Sequence, residues 1–187
     1  MDLFHASRVR LSALTRADIP VLTCWHDDPE FLRLWDSRAA RPKSEQEIHT
    51  WLDELGKAQD TVTFAIRPPE GDALLGMVEL DGIEWQHGTC YLGIGIGERT
   101  NWGKGYGSEA LGLVLRYAFH ELNLHRISVT VFDNNLRSLA LFEKHGFVRE
   151  GVYREFVLRD GERHDMLLYG LLQREWLARQ QDFSRES

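Results

Sequence analysis

Glycines at 93, 95, 97, 103, 105 and 107 fall where a run of period-two hydrophobicity hands over to a run of helical period. Upstream, residues 89–96 alternate like a strand. Downstream, over 108–121, Leu111, Leu115, Ala118 and Leu122 line one helical face. Gly103, Gly105 and Gly107 therefore occupy a loop that opens a helix, where backbone without Cβ atoms lets a ligand come close. Free N–H groups and the helix dipole favour an anion there. The stretch Trp102-Gly103-Lys104-Gly105-Tyr106-Gly107-Ser108 thus predicts a phosphate or pyrophosphate site, set against the plainer reading of a structural turn. It is no P-loop, because Lys104 is followed by Gly105 rather than by Ser or Thr. Gly105, Gly107 and Ala110 do satisfy GxGxxA, with Asp133 ending the next strand. A dinucleotide turn, however, follows its strand at once and belongs to strand one, whereas here several residues separate Ile96 from Gly105 and a meander precedes them.

The flanking sequence reads as one alternating chain of elements. A short strand is expected at 9–13 and a helix at 17–25, opened by Thr15 and Asp18 with Pro20 in its first turn. Asp27, Asp28 and Pro29 break that pattern, and 31–42 lacks a clean period, as a loop or short helical turn would. Ser44 and Glu47 form a capping box ahead of Ile48, Trp51, Leu52 and Leu55. Strands at 61–66, 74–83 and 89–96 should make an antiparallel meander. After the glycine loop and its helix come a strand at 126–132, a helix from Leu136 closed by Lys144, His145 and Gly146, and a hairpin of 148–158 with 164–172 turning at Asp160-Gly161. The order β-α-α-β-β-β-α-β-α-β-β predicts a single α/β domain over 8–176, a mixed and mostly antiparallel sheet flanked by helices. A polar tail, 177–187, should fray, starting from Trp176.

At 187 residues the chain is about one domain long, with 43% apolar and 27% charged residues as in ordinary globular proteins. Its net charge of -7 has the wrong sign for a phosphate backbone, so no nucleic-acid partner is expected. An acidic balance suits a cationic or amine-bearing ligand, although many solvated surfaces share it. Cys24 and Cys90 form no CxxC pair, which fits a reducing cytoplasm, and His87, His120, His125 and His145 lack metal-ligand spacing. The start, MDLFHASRVRLSAL, has no apolar core, and no run approaches about 18 apolar residues, so neither a signal peptide nor a membrane contact is expected.

The glycine loop and four further stretches resemble the GCN5-related N-acetyltransferases, in particular the RimJ/RimL type that acetylates ribosomal-protein N-termini. The wider family carries [QR]xxGx[GA] at this loop. Here Trp102 replaces the first residue, as in the WGKGYxxEA form frequent in that branch, and Glu109 and Ala110 complete it. Asn135-x-x-Ser138, Glu143-Lys144-His145-Gly146-Phe147, Glu150-Gly151 with Arg154, and Gly161 with Asp165 follow in order, so the likeness spans about 9–176. It implies the acyl-CoA N-acyltransferase fold and acetyl-CoA as co-substrate, with no metal. The pyrophosphate would lie on the N–H groups of 103–107, flanked by Trp102 and Ser108, and the pantetheine beside Ile94, Gly95 and Ile96. A backbone N–H of that strand would polarise the thioester carbonyl. Asn135 would bond the pantetheine arm, and Ser138 would protonate the leaving thiolate. Read alone, Asn135 and Ser138 are equally a helix cap and a first-turn polar residue.

Two departures from the family bear on mechanism. The tyrosine that often serves as general acid falls at Phe142, and a glutamate that some members carry early in the fourth strand aligns near Tyr91. A carboxylate base must then come from Glu79 or Glu84, each of which also reads as a solvated strand carboxylate. A weak base suits an α-amine, about 10% neutral at pH 7, better than a lysine-like amine at about 0.04%. The favoured acceptor is a peptide or protein N-terminus; the alternatives are a small-molecule amine such as a polyamine or aminoglycoside, and an acyl-CoA sensor without catalysis. Acceptor recognition is expected between the first two helices, at Trp35 and Asp36, with Trp25 and Phe31 nearby. Cys90 lacks an activating His-Asp pair, so direct attack in a ternary complex is preferred to a covalent enzyme intermediate. The C-terminal hairpin and acidic surface are compatible with a homodimer.

Overall fold

The computed structural model describes residues 2–186, with side chains to residue 181. Strands β1 (Arg10–Ser12), β2 (Val62–Arg67), β3 (Gly76–Glu84), β4 (Thr89–Ile96), β5 (Arg126–Phe132), β6 (Val148–Arg159) and β7 (Glu162–Leu172) form one seven-stranded sheet. Its order is β1-β2-β3-β4-β5-β7-β6. All neighbours run antiparallel except β4 and β5, which are parallel and pair only from Thr89–Tyr91 to Arg126–Ser128. Beyond Tyr91 these two strands part. Helices α1 (Ile19–His26), α2 (Pro29–Trp35), α3 (Glu45–Leu55), α4 (Tyr106–Arg116), α5 (Leu136–Lys144) and α6 (Gln173–Glu186) complete the fold, and α4 continues into a π-helical turn at Tyr117–Glu121.

Side-chain alternation on β4 divides the core in two. Cys90, Leu92, Ile94 and Ile96 pack with Val78, Leu80 and the buried face of α4, including Ala110, Leu111 and Val114. The opposite face carries Gly93, Gly95 and Gly97, and α1–α3 cover it with Leu22, Trp25, Phe31 and Ile48. A Cβ at Gly97 would lie 1.8 Å from the Trp25 indole and one at Gly95 2.8 Å from Trp35, so glycine is what allows the aromatic rings to rest on the strand backbone. The rings form a row, Trp25 to Phe31 at 5.8 Å and Phe31 to Trp35 at 5.9 Å. Arg67 of β2 anchors the same layer through a buried ion pair with Asp18 at 2.8 Å. Burial pushes the Asp18 carboxyl upward, but the bonds from Arg67 and from the Thr15 N–H outweigh it and hold it below its ordinary value.

The elements expected from periodicity are present, and two regions differ. Of residues 31–42, read as a loop or short helical turn, 31–35 are helical, and the helix starts earlier than expected: Asp28 and Pro29 open α2 rather than only ending a pattern. Asp28 accepts the Glu30 N–H at 2.9 Å and Pro29 takes the first helical position. The tail expected to fray from Trp176 belongs instead to α6, because Trp176 is buried against Phe119 at 5.4 Å. The hairpin turn is as read: Asp160 and Gly161 both have positive φ, 49° and 86°. Among the described residues no helix is long and apolar enough to cross a membrane.

Candidate active site

Where β4 leaves β5, a cleft of about 400 Å³ opens between Ile94, Gly95 and Ile96 on one side and α5 on the other. The glycine loop closes one end. Gly103 and Gly105 adopt φ of 73° and 88°, which side chains resist, and no side chain caps the helix that Gly105 starts. Its first N–H groups are therefore left for a ligand, which is the arrangement an anion needs. The loop is fastened on both flanks. Trp102 donates its indole N–H to the Ile96 carbonyl at 2.6 Å, and the Arg137 guanidinium lies 4.2 Å over the Trp102 ring. On the outer flank Glu109 accepts from Ser7 and from the Arg8 N–H, and Arg8 donates to the Lys104 carbonyl at 2.9 Å. Trp102, Gly103, Gly105, Tyr106, Gly107 and Ser108 all line the cleft. Lys104 does not; its amine lies 3.4 Å from Asn101 Oδ1 on the exposed side.

Across the gap, Asn135 caps α5 by accepting the Ser138 N–H at 3.2 Å, and it lines the cleft as well. The capping role and the position facing the cleft coexist in one side chain. Ser138 also lines the cleft, and its hydroxyl makes no hydrogen bond among the described residues. Ser108 is tied instead to the C-terminus of α5: Lys144 Nζ donates to its Oγ at 3.3 Å, and His145 Nε2 lies 2.9 Å away. Burial, aided by Lys144 and Arg179, pushes His145 down to about 4, so at neutral pH the ring hydrogen-bonded to Ser108 is neutral. Phe142 is buried and packs on Phe147 at 5.2 Å, so no hydroxyl stands at that position.

Glu79 lies opposite Gly93 in the β3–β4 register. A Cβ at Gly93 would meet Glu79 Oε1 at 3.3 Å and Trp35 at 3.6 Å, so carboxylate and indole share the space over that glycine. Burial, with repulsion from Asp81, pushes Glu79 up to about 7, where it exchanges a proton near neutrality. Glu84 is exposed and 3.9 Å from His87, and Tyr91 is 59% exposed. Trp35 lines the cleft, stacked on Phe31 at an interplanar angle of 12°. Asp36 does not line it, because its carboxylate binds Arg38 at 2.6 Å; burial raises its pKa, and the Arg38 hydrogen bonds outweigh this and lower it. Leu141 could be found from its helical spacing to Ser138. Leu34, Asn101 and Arg137 reach the cleft through tertiary contacts that no local pattern announces.

With this geometry in place, the chain belongs to the acetyltransferase (GNAT) domain family, which it matches over residues 8–148. It is an N-acetyltransferase with the acyl-CoA N-acyltransferase fold, and acetyl-CoA is its acyl donor. An uncharacterized N-acetyltransferase of Bacillus licheniformis is 28% identical over 94% of this chain and 99% of its own length. A [ribosomal protein uS5]-alanine N-acetyltransferase of Escherichia coli is 28% identical over 80% of this chain and 79% of its own. The crystal structure of spermidine N-acetyltransferase from Vibrio cholerae in complex with CoA and spermine superposes with a TM-score of 0.84 at 26% identity. It covers 92% of this chain and 99% of that one. Among the described residues no three His, Cys, Asp or Glu side chains are grouped to hold a metal ion.

Proposed function

We propose that the protein transfers acetyl from acetyl-CoA to the α-amine of a peptide or protein N-terminus, in the cytoplasm, by direct attack within a ternary complex. The observation that carries this reading is the cleft joining an uncapped, glycine-started helix to the parted edge of β4, lined also by Ser138, whose hydroxyl has no hydrogen bond among the described residues. Backbone N–H groups of 103–107 hold the pyrophosphate. Ile94, Gly95 and Ile96 seat the pantetheine, Asn135 bonds it, and a β4 N–H polarises the thioester carbonyl. Glu79 takes a proton from the acceptor ammonium, directly or through water. As the new C–N bond forms and the C–S bond breaks, Ser138 gives its proton to the thiolate, and the second proton lost by the amine nitrogen passes to solvent, from which Ser138 is reprotonated.

The elevated pKa of Glu79 favours catalysis over a sensor role, since it supplies the base that Tyr91 does not. A polyamine acceptor is less well supported, because the acids on the α2 side already face arginines: Asp28 and Glu30 with Arg99, Asp36 with Arg38, Asp160 with Arg33. Exposed apolar side chains on edge strand β6, among them Val148, Tyr153 and Leu158, support a homodimer.

The test is thiol release from acetyl-CoA against N-terminal peptides, polyamines and aminoglycosides, beside calorimetric titration with CoA. Peptide turnover that falls in Ser138→Ala is expected. Turnover of polyamines alone would move the acceptor class, and CoA binding without turnover on any amine would leave a sensor.

A further inference from the structure

A second cleft, of about 730 Å³, lies between α2 and the β6–β7 hairpin. It shares Leu34, Asn135 and Arg137 with the glycine-loop cleft, so a molecule seated in it borders the donor site. The hairpin tip is fastened to α2 by Asp160, which accepts from Arg33 at 2.7 and 3.1 Å. Arg159, the residue before it, lines the second cleft and is unlike its neighbours. Its NH2 group donates to the carbonyls of Asp36, Ser37 and Arg38 at 3.0 to 3.1 Å, which holds the guanidinium in place. Its Nε is buried and bonds to nothing, and its NH1 makes no hydrogen bond among the described residues. No described carboxylate pairs with it. Glu162 faces it across the β6–β7 register and makes no ion pair with it. The other arginines of this cleft do have acids: Arg33 has Asp160, and Arg137 lies 3.9 Å from Glu30.

A guanidinium held in place by NH2, with no hydrogen bond to its NH1 and no carboxylate paired to it among the described residues, is the complement of a carboxylate. We infer that Arg159 receives a carboxylate of the acceptor, so that the substrate is an α-amine bearing an anionic group. This rests on the acetyl-transfer reading above and specifies the charge its α-amine acceptor carries, whether peptide or free amino acid. A carboxylate near an α-amine occurs in a free amino acid and in a peptide whose second residue is acidic, and the acceptor panel separates these sources.

The experiment compares kcat/KM, referred to the neutral amine, for alanine against alaninamide and for Ala-Glu-Gly-amide against Ala-Gln-Gly-amide, with spermidine alongside. In the intact protein, one carboxylate-bearing member is expected to exceed its uncharged partner by about ten-fold, with the difference in KM. Arg159→Gln should remove that preference, Arg159→Lys should retain part of it, and Glu162→Gln should strengthen it two- to three-fold. Thermal melting of each variant separates loss of the α2 anchor from loss of the charge, and a preference that persists in a folded Arg159→Gln overturns the assignment. Equal rates within both pairs, or spermidine as the best acceptor, also overturn it while leaving acetyl transfer intact. Absence of turnover on every amine overturns it together with the reading on which it rests.

Discussion

The two walls of the cleft are made of different materials. From Ile94 to Ser108 the donor wall presents backbone: a strand edge released by β5, positive-φ glycines and an uncapped helix N-terminus. The facing wall presents side chains on α2 and α5, backed by the hairpin, to which α2 is held by ion pairs between residues more than a hundred positions apart, such as Arg33 with Asp160. A backbone wall is fixed by the few residues that lack a Cβ, and it tolerates little change. An exposed ion pair contributes about 0–1 kcal/mol, so the acceptor wall can be rebuilt one residue at a time while the donor wall stays as it is. Common donor chemistry with varied acceptors is what such a division permits.

Glu79, over Gly93 and beside the cleft-lining Trp35 though not itself lining the cleft, gives the largest expected effect. With its carboxyl pushed up to about 7, the base form grows as pH rises through neutrality, so kcat/KM of the intact protein should climb across that range. Glu79→Gln should lower kcat/KM about 10²- to 10³-fold at pH 8 and erase the limb near 7, leaving only the acceptor's own titration. A rate profile from pH 5.5 to 9 reads both. An unchanged limb would assign the base elsewhere.

The next effect tests how tightly the backbone wall is packed from behind. Gly97→Ala places a Cβ inside the Trp25 indole and should destabilise the fold by about 3 kcal/mol. For a chain of this size that is a melting shift of about 6–12 °C. Gly105→Ala, whose Cβ would meet only the Arg8 guanidinium in ordinary contact at 3.4 Å but at φ of 88°, should lose about 1–2 kcal/mol in backbone strain. It should also weaken CoA binding several-fold by calorimetry, with the acceptor KM unchanged. Smallest is Asp160→Asn on the opposite wall, where stability should move by less than about 1 kcal/mol. There the acceptor KM should rise two- to five-fold while CoA affinity holds, the reverse of Gly105→Ala.

Legibility in the sequence follows the same division. The strands, the capping box at Ser44 and Glu47, the Asp160-Gly161 turn and the cleft-lining loop residues are local features, and period, glycine and turn chemistry exposed them. Helix α2 is legible only as a loop or short helical turn, because its seven residues span too few turns to show a period, and its start, Asp28-Pro29, is identical in type to a break. Trp176 reads as tail until Phe119 is brought to it. Asp36 looked available for an acceptor because nothing in sequence shows that Arg38, two residues on, folds back to take its carboxylate. Lys104 sits within the motif, yet it is not among the cleft-lining residues, and its amine reaches back to the Asn101 side chain. Arg159 has no local signature at all. Its partners are carbonyls of residues 36–38, which only the closed sheet brings near.

The most direct test of the backbone wall as the donor site is amide hydrogen exchange with and without CoA. We expect slowed exchange concentrated in 94–96 and 103–108, with little change in α2 or the hairpin until an acceptor is added. Slowing centred on α2 and the hairpin with CoA alone, or none at 103–108 under saturating CoA, would contradict it.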